Sequence, residues 1–217
     1  MNNFLKSDRN FGVLCIAYVV FLLIVPITFS PTSIKWLMSE TGPIEILSIV
    51  AWLALAAQFA LSSFRPSIKW PMALLFAGFG AREADLHKTL TTTGMLKLTY
   101  YTRSPAPLYE KIIAGTVALA FIGLLLYGAY HFLRFLLKDA NWRSPAGYWL
   151  ILAGFLFPLC KVFDRLPNVL LVEHGIALPP LLGAYCGTLE EGLELLVPVI
   201  LMWIAYAKKR SFTAFNK

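Results

Sequence analysis

Runs of about twenty mainly apolar residues recur along the chain, with short polar segments between them. A helix needs about 20 such residues to cross the hydrocarbon core of a bilayer, because it rises only about 1.5 Å per residue. The pattern therefore predicts an all-α, polytopic membrane helix bundle with six spans. Their approximate ranges are 11–30, 43–64, 70–90, 112–137, 148–164 and 181–207. We expect one integral membrane domain over residues 1–217.

Composition supports a membrane protein and excludes other classes. Apolar residues make up 58% of the chain and charged residues only 14%, against about 25% charged in an ordinary soluble domain. A soluble enzyme, a disordered chain and a disulfide scaffold are therefore excluded.

The first apolar run follows Lys6 and Arg9, as in a secretory signal peptide. It is too long for such a peptide and no cleavage site follows, so we expect an uncleaved span.

The charged residues predict an orientation. With both termini in the cytoplasm, eleven of the 19 Lys and Arg residues face inward, as the positive-inside rule requires. Ten of the 12 Asp and Glu residues then lie outside or in the outer ends of spans. Short loops favour a bacterial inner membrane, with the acidic residues on the periplasmic side. The net charge of +7 therefore reflects the excess of Lys and Arg in the predicted cytoplasmic loops. Nucleic acid is not expected as a partner.

The scarce acids are predicted to meet at one membrane depth. They lie at Glu45, at 83–87, at Asp164 and at 190–194, which are ends of four different spans. Ionisable groups at such depth are costly unless they face water or one another, so they form a functional hypothesis.

The sixth span carries the densest acidic group. Glu190, Glu191 and Glu194 fall within an arc of roughly 100° on a helix, and their repulsion requires a cation, a proton or a basic partner. Two interpretations stay open. One is a metal or proton site, and the other is a glutamate face paired with Arg82, Lys88 or Arg165.

The third predicted span ends in a second candidate group. Glu83 and His87 are four residues apart and share one helix face, which suits metal binding or proton transfer. Arg82, Asp85 and Lys88 lie toward another face as internal ion pairs. The alternative is a helix end solvated at the outer surface.

The remaining polar residues allow two interpretations each. Asp164 is either an active-site acid or the partner of Arg165. Glu45 either belongs to the site or stabilises a helix N-terminus, with Ser48 one turn away. Glu173 and His174 fall in a predicted connection over 166–180, and we expect His174 to be exposed.

Common cofactor motifs are not found in the sequence. His131 lies at the wrong depth to pair with another histidine, so no haem is expected, and no nucleotide-binding motif is present. The three cysteines Cys15, Cys160 and Cys186 have no metal-binding spacing and are expected to be buried free thiols.

Two resemblances carry further expectations. The segments Ser-Glu-Thr-Gly-Pro-Ile-Glu at 39–45 and Ala-Arg-Glu-Ala-Asp-Leu-His-Lys at 81–88 resemble small bacterial multi-pass inner-membrane proteins of unknown function. The layout is also similar to the alkaline ceramidase (CREST) superfamily of zinc-dependent membrane hydrolases. That resemblance implies that Glu45, Ser48, His87 and Asp164 correspond in order to its site. The superfamily has seven spans and a final histidine pair, where this chain has glutamates, which suit a harder metal.

The leading functional hypothesis is a membrane-embedded, metal-dependent hydrolase or head-group transferase acting on a lipid or envelope substrate from the outer leaflet. It assigns a divalent metal to His87, Glu191 and Glu194, and acid or base roles to Glu83, Asp85 and Asp164. It assigns substrate contacts to Glu45, Ser48, Arg82 and Arg165, and a covering role to residues 91–111. The alternatives are a proton- or cation-coupled transporter that uses the same carboxylates, and a non-catalytic accessory subunit.

Overall fold

The structure is a computed structural model that describes residues 2–39, 41–86, 91, 94–95 and 97–208. These residues form α-helices without any β-strand, which confirms the predicted all-α class. The helices are α1 (Asn2–Thr28), α2 (Pro31–Leu37), α3 (Pro43–Ala60), α4 (Pro66–Glu83), α5 (Leu98–Arg103), α6 (Leu108–Leu137), α7 (Pro145–His174) and α8 (Pro180–Lys208). A 3-10 helix, Lys138–Arg143, joins α6 to α7.

Four of the described helices are long and apolar enough to cross a membrane. They comprise Asp8–Thr28, Pro43–Ala60, Leu108–Leu137 and Pro145–His174. This supports a helical integral membrane protein. The 18 residues of helix α4 include three charged side chains, Lys69, Arg82 and Glu83, and α8 carries three glutamates, so neither belongs to this group. The six-span count and the orientation stay predictions.

Helix α7 is longer than the sequence pattern indicated. It continues through Pro158 and Pro167 to His174, so the connection predicted over 166–180 is confined to residues 175–179. A proline removes one backbone hydrogen bond but need not end a helix in an apolar setting, where every other backbone group must still be paired. The helix ends at Gly175, whose φ of 68° is left-handed and whose amide donates to the Leu171 carbonyl oxygen at 3.2 Å.

The chain packs as two compact units. The first contains the described parts of residues 1–48 and 140–214. In it α7 packs along α8, and α8 packs against α1. The Phe11 ring on α1 stacks on Trp203 of α8 with centroids 4.6 Å apart, and it meets the Trp149 ring edge-on at 4.9 Å. These aromatic contacts fix α1 against both α7 and α8.

Helices α1 and α8 approach most closely at Gly192. The Tyr18 hydroxyl donates to the Gly192 carbonyl oxygen at 3.0 Å. A Cβ atom at position 192 would overlap both terminal methyl groups of Leu22, and Leu22 is fully buried. Glycine therefore permits this helix contact because it has no side chain.

Gly192→Ala is expected to lower the free energy of unfolding by roughly 1–2 kcal/mol, because the added methyl group overpacks a filled interface. The measurement is thermal denaturation of the purified protein in detergent. Gly154→Ala is the matched control, since a Cβ there meets nothing within 4 Å. In a Leu22→Ala background the cost of Gly192→Ala should shrink, because the overlapping atoms are gone. An equal cost in both backgrounds would contradict the packing argument.

The second unit contains residues 49–139 of the described chain, including the rest of α3 together with α4, α5 and α6. The Trp52 ring of α3 stacks on Phe79 of α4 at 4.7 Å, and Phe79 meets Phe121 of α6 edge-on at 5.5 Å. Near the start of α4, the Tyr127 hydroxyl of α6 donates to the Ser67 carbonyl oxygen at 2.5 Å. The edge-on ring contact and this hydrogen bond thus align α4 with α6, and the stacked rings join α3 to α4.

The segment before α6 folds back onto that helix. Tyr100 of α5 is fully buried in a small core with Ala106 and Ala114, and its hydroxyl donates to Glu110 Oε1 at 2.6 Å. Burial, together with the hydrogen bond to Glu110, raises the pKa of Tyr100 to about 12. Residues 97–107 therefore fold over the start of α6. Whether they cover a substrate stays a prediction.

Candidate functional site

Charged side chains from α7 and α8 meet in one group, here called the α7–α8 cluster. Lys161 Nζ lies 2.8 Å from Glu194 Oε1 and 3.5 Å from Asp164 Oδ2. Glu190 interacts electrostatically with these same three residues. Its members are Lys161, Asp164, Glu190 and Glu194. The structure thus joins two of the predicted acidic groups, Asp164 and the α8 glutamates, through one lysine.

Helical spacing explains how each helix supplies its part of the cluster. Lys161 and Asp164 are three residues apart on α7, and Glu190 and Glu194 are four apart on α8, so each pair shares a face. Only residues 175–179 separate the two helices, which sets them side by side in opposite directions. The carboxylates of one helix therefore face the lysine of the other.

The cluster has more carboxylates than cations. Its four described side chains are one ammonium group and three carboxylates, two of which contact the ammonium group, so the formal charge of these four side chains is −2 when all are ionised. The buried thiols of Cys160 and Cys186 also interact electrostatically with Glu190. Together with Cys15 they are buried free thiols, as the sequence predicted. In surroundings of low polarity, an excess of negative charge favours a bound proton or cation.

Among the described contacts, the basic partner of Glu194 on this glutamate face is Lys161. The sequence named Arg82, Lys88 and Arg165 as candidate partners. Arg165 is exposed on α7, and Lys88 lies outside the described residues. Sequence reasoning did not single out Lys161. A lysine one turn before Asp164 in an otherwise apolar helix was the available signal.

Glu191 and Glu194, the predicted metal ligands on α8, have different surroundings. The Glu194 side chain is only 13% exposed and is held by Lys161, while Glu191 is half-buried. The third predicted ligand, His87, lies outside the described residues. Over the part of the chain that is described, no three His, Cys, Asp or Glu side chains form a group that could hold a metal ion.

Glu45 and Ser48 lie on one face at the start of α3. Glu45 is in the first turn, as predicted, where the helix dipole favours a carboxylate. The two residues are 8% and 2% exposed. Within the described residues the Ser48 hydroxyl has no hydrogen-bond partner. A buried hydroxyl of this kind leaves hydrogen-bonding capacity unused.

Helix α4 ends close to the predicted Glu83–His87 pair, of which only Glu83 belongs to the described residues, and His87 lies outside them. Helix α4 ends at Glu83, and Asp85 has a left-handed φ of 50°, which breaks the four-residue helical repeat. A conformation of this type ends a helix because the next amide no longer points along its axis. In the second unit the Arg82 guanidinium contacts Glu83 Oε1 at 2.5 Å.

Asp164 forms its ion pair with Lys161, one turn earlier on the same helix. The described contacts include no ion pair between Asp164 and Arg165. The Asp164 side chain is 44% exposed, so it is accessible. Farther along α7, Glu173 and His174 form the exposed end of the helix, which confirms the expectation for His174.

Comparison with models of known protein families, with curated proteins and with solved structures gave no match. The fold and the α7–α8 cluster therefore define the class, a helical membrane protein with a charged helix-pair site.

Proposed function

We propose that the protein is a membrane-embedded hydrolase or head-group transferase that acts on a lipid or envelope substrate at the α7–α8 cluster. The observation that carries this proposal is the contact of Lys161 with both Asp164 and Glu194. Charged groups are costly within apolar helices and are commonly retained there for function. The six-span topology, with cytoplasmic termini and the cluster at the periplasmic side of a bacterial inner membrane, belongs to the same proposal.

The proposed chemistry is general acid–base catalysis with electrostatic stabilisation. Asp164 accepts a proton from water while the water oxygen bonds to the carbonyl carbon or phosphorus of the substrate. The Lys161 ammonium stabilises the negative charge that develops on the substrate oxygen. As the bond to the leaving group breaks, Asp164 returns the proton to that group. Glu194 holds Lys161 in place, and Arg165 contacts an anionic head group.

The predicted metal is a separate part of the proposal. Lys161 already neutralises Glu194, so we assign Glu194 to positioning Lys161, and the assignment of a divalent ion to His87 and Glu191 stays a prediction from the sequence. Elemental analysis of the purified protein measures such an ion, and Glu191→Gln should lose it. The predicted roles of Glu45, Ser48, Arg82, Glu83 and Asp85 stay predictions.

Mass spectrometry of lipids incubated with the purified protein tests the enzyme proposal. The protein is reconstituted in nanodiscs that contain a bacterial lipid extract, and we expect a new cleaved or transferred head-group product. Heat-denatured protein is the control. If the folded protein generates no product from lipid extract or from cell-envelope material, the proposal is wrong.

A proton- or cation-coupled transporter is the second candidate, and the −2 formal charge of the cluster favours it. In a transporter, Glu190 would bind and release a proton or cation during each cycle. Proteoliposomes with a pH-sensitive dye measure such a flux. A flux that Glu190→Gln abolishes, without any lipid product, would support this candidate over the enzyme.

A further inference from the structure

An open cleft with a volume of about 430 Å³ lies at the C-terminal end of α6, in the second unit. The α7–α8 cluster belongs to the first unit. The cleft is lined by Tyr130, Leu133, Arg134, Leu137 and Lys138. We propose that this cleft binds the head group and upper acyl chains of an anionic phospholipid.

The apolar lining of the cleft faces outward. Tyr130 and Leu133 are each 57% exposed, and Leu137 is 68% exposed. Helix α6 is one of the four helices able to cross a membrane, and only 11% of its apolar window is buried within the protein. Its outer face therefore contacts lipid. Leucine and tyrosine side chains near the end of such a helix lie where acyl chains meet head groups.

Two cations complete the cleft. Arg134, on the last turns of α6, and Lys138, directly after the helix, both line the cleft, and both are exposed. The Arg134 guanidinium Nη1 donates to the Tyr130 hydroxyl at 3.3 Å, which orients it along the cleft. An arginine fork suits two phosphate oxygens, and a lysine adds a second positive charge.

The surroundings of the cleft are basic. The Tyr127 hydroxyl, three residues before the first lining residue of the cleft, bonds to Ser67 in the first turn of α4, and Lys69 follows Ser67 on that helix. Residues 46–82 and 111–138 contain no Asp or Glu, and the first acid after the cleft is Asp139. Local charge is thus complementary to an anionic head group. Basic residues beside apolar membrane helices are a common basis of such recognition.

The chemistry selects phospholipid over free phosphate. Free phosphate would use only Arg134 and Lys138, whereas a phospholipid also covers Leu133 and Leu137. Each cation near an anionic lipid contributes about a fivefold change in affinity. Losing both should therefore weaken binding about thirtyfold.

Native mass spectrometry of the full chain in detergent tests the proposal by titration with phosphatidylglycerol or phosphatidylcholine. We expect tighter binding of phosphatidylglycerol, and a loss of about thirtyfold in Arg134→Gln/Lys138→Gln. The matched control is Arg9→Gln/Lys35→Gln, which removes two exposed cations of the first unit and should change binding less than twofold. Inorganic phosphate in millimolar excess should not displace the lipid.

Three results would overturn the inference. Equal binding of the two lipids would remove the role of head-group charge, and equal losses in the two double variants would show only a general charge effect. Displacement of the lipid by inorganic phosphate would assign the cleft to free phosphate. The melting temperature of each variant, measured in parallel, should stay within a few degrees of the wild type because all four residues are exposed.

Discussion

Replacement of Asp164 by Asn should lower the rate of product formation from lipid by about 10²–10⁴-fold, the contribution of a general base. Asparagine has nearly the same shape as aspartate but cannot accept a proton from water at neutral pH. The measurement is the initial rate of product formation in nanodiscs, with protein concentration held constant. This prediction rests on the proposed enzyme function.

Glu173→Gln is the matched control for Asp164→Asn. Glu173 is also a carboxylate on α7, but it lies at the exposed end of the helix, outside the cluster. The control should retain the wild-type rate, and both variants should keep the wild-type melting temperature because Asp164 is 44% exposed. Wild-type activity in Asp164→Asn would remove Asp164 from the mechanism.

The helices themselves could be predicted from the sequence because lipid imposes a strong physical rule. A backbone in hydrocarbon must satisfy its own hydrogen bonds, so a long apolar run becomes a helix. This rule predicts helices over residues 11–30, 43–64 and 112–137, and the structure places α1, α3 and α6 there, although α1 begins well before its apolar run.

Helix ends were harder to predict because local signals conflict with the wider packing. Pro167 favours a break, yet α7 continues for seven residues beyond it. The segment at 82–88 favours a continuing helix by its composition, yet α4 ends at Glu83 and Asp85 turns the chain. In both segments the outcome depends on contacts that a single-sequence pattern does not contain.

The candidate site could be predicted only in part for a related reason. Spacing along one helix indicates which side chains share a face, so the α8 glutamates were identified as a group. Spacing does not give the register of α8 against α7, and this register decides that Lys161, not Arg165, reaches Glu194. The site therefore gained its central cation only from the structure.

Lys161→Met should lower the free energy of unfolding by about 2 kcal/mol and should also remove activity. Breaking an exposed ion pair costs less than about 1 kcal/mol of stability, and breaking a buried pair costs about 3–5 kcal/mol. The expected cost lies between these two values. The intermediate value follows from exposures of 41% at Lys161 and 13% at Glu194. Methionine keeps the apolar stem, so the loss reports the ammonium group. Thermal and denaturant unfolding of the purified protein measure it.

A second substitution separates the charge effect from a packing effect. In Lys161→Met the carboxylates of Asp164, Glu190 and Glu194 repel one another without a cation, whereas Glu194→Gln removes one of them. Lys161→Met should therefore cost less stability in the Glu194→Gln background than in the wild type, and the difference is the coupling energy of the pair. Equal costs would show that the pair contributes nothing to the fold. Activity should stay lost in the double variant, because relief of repulsion does not restore the positive charge that the reaction requires.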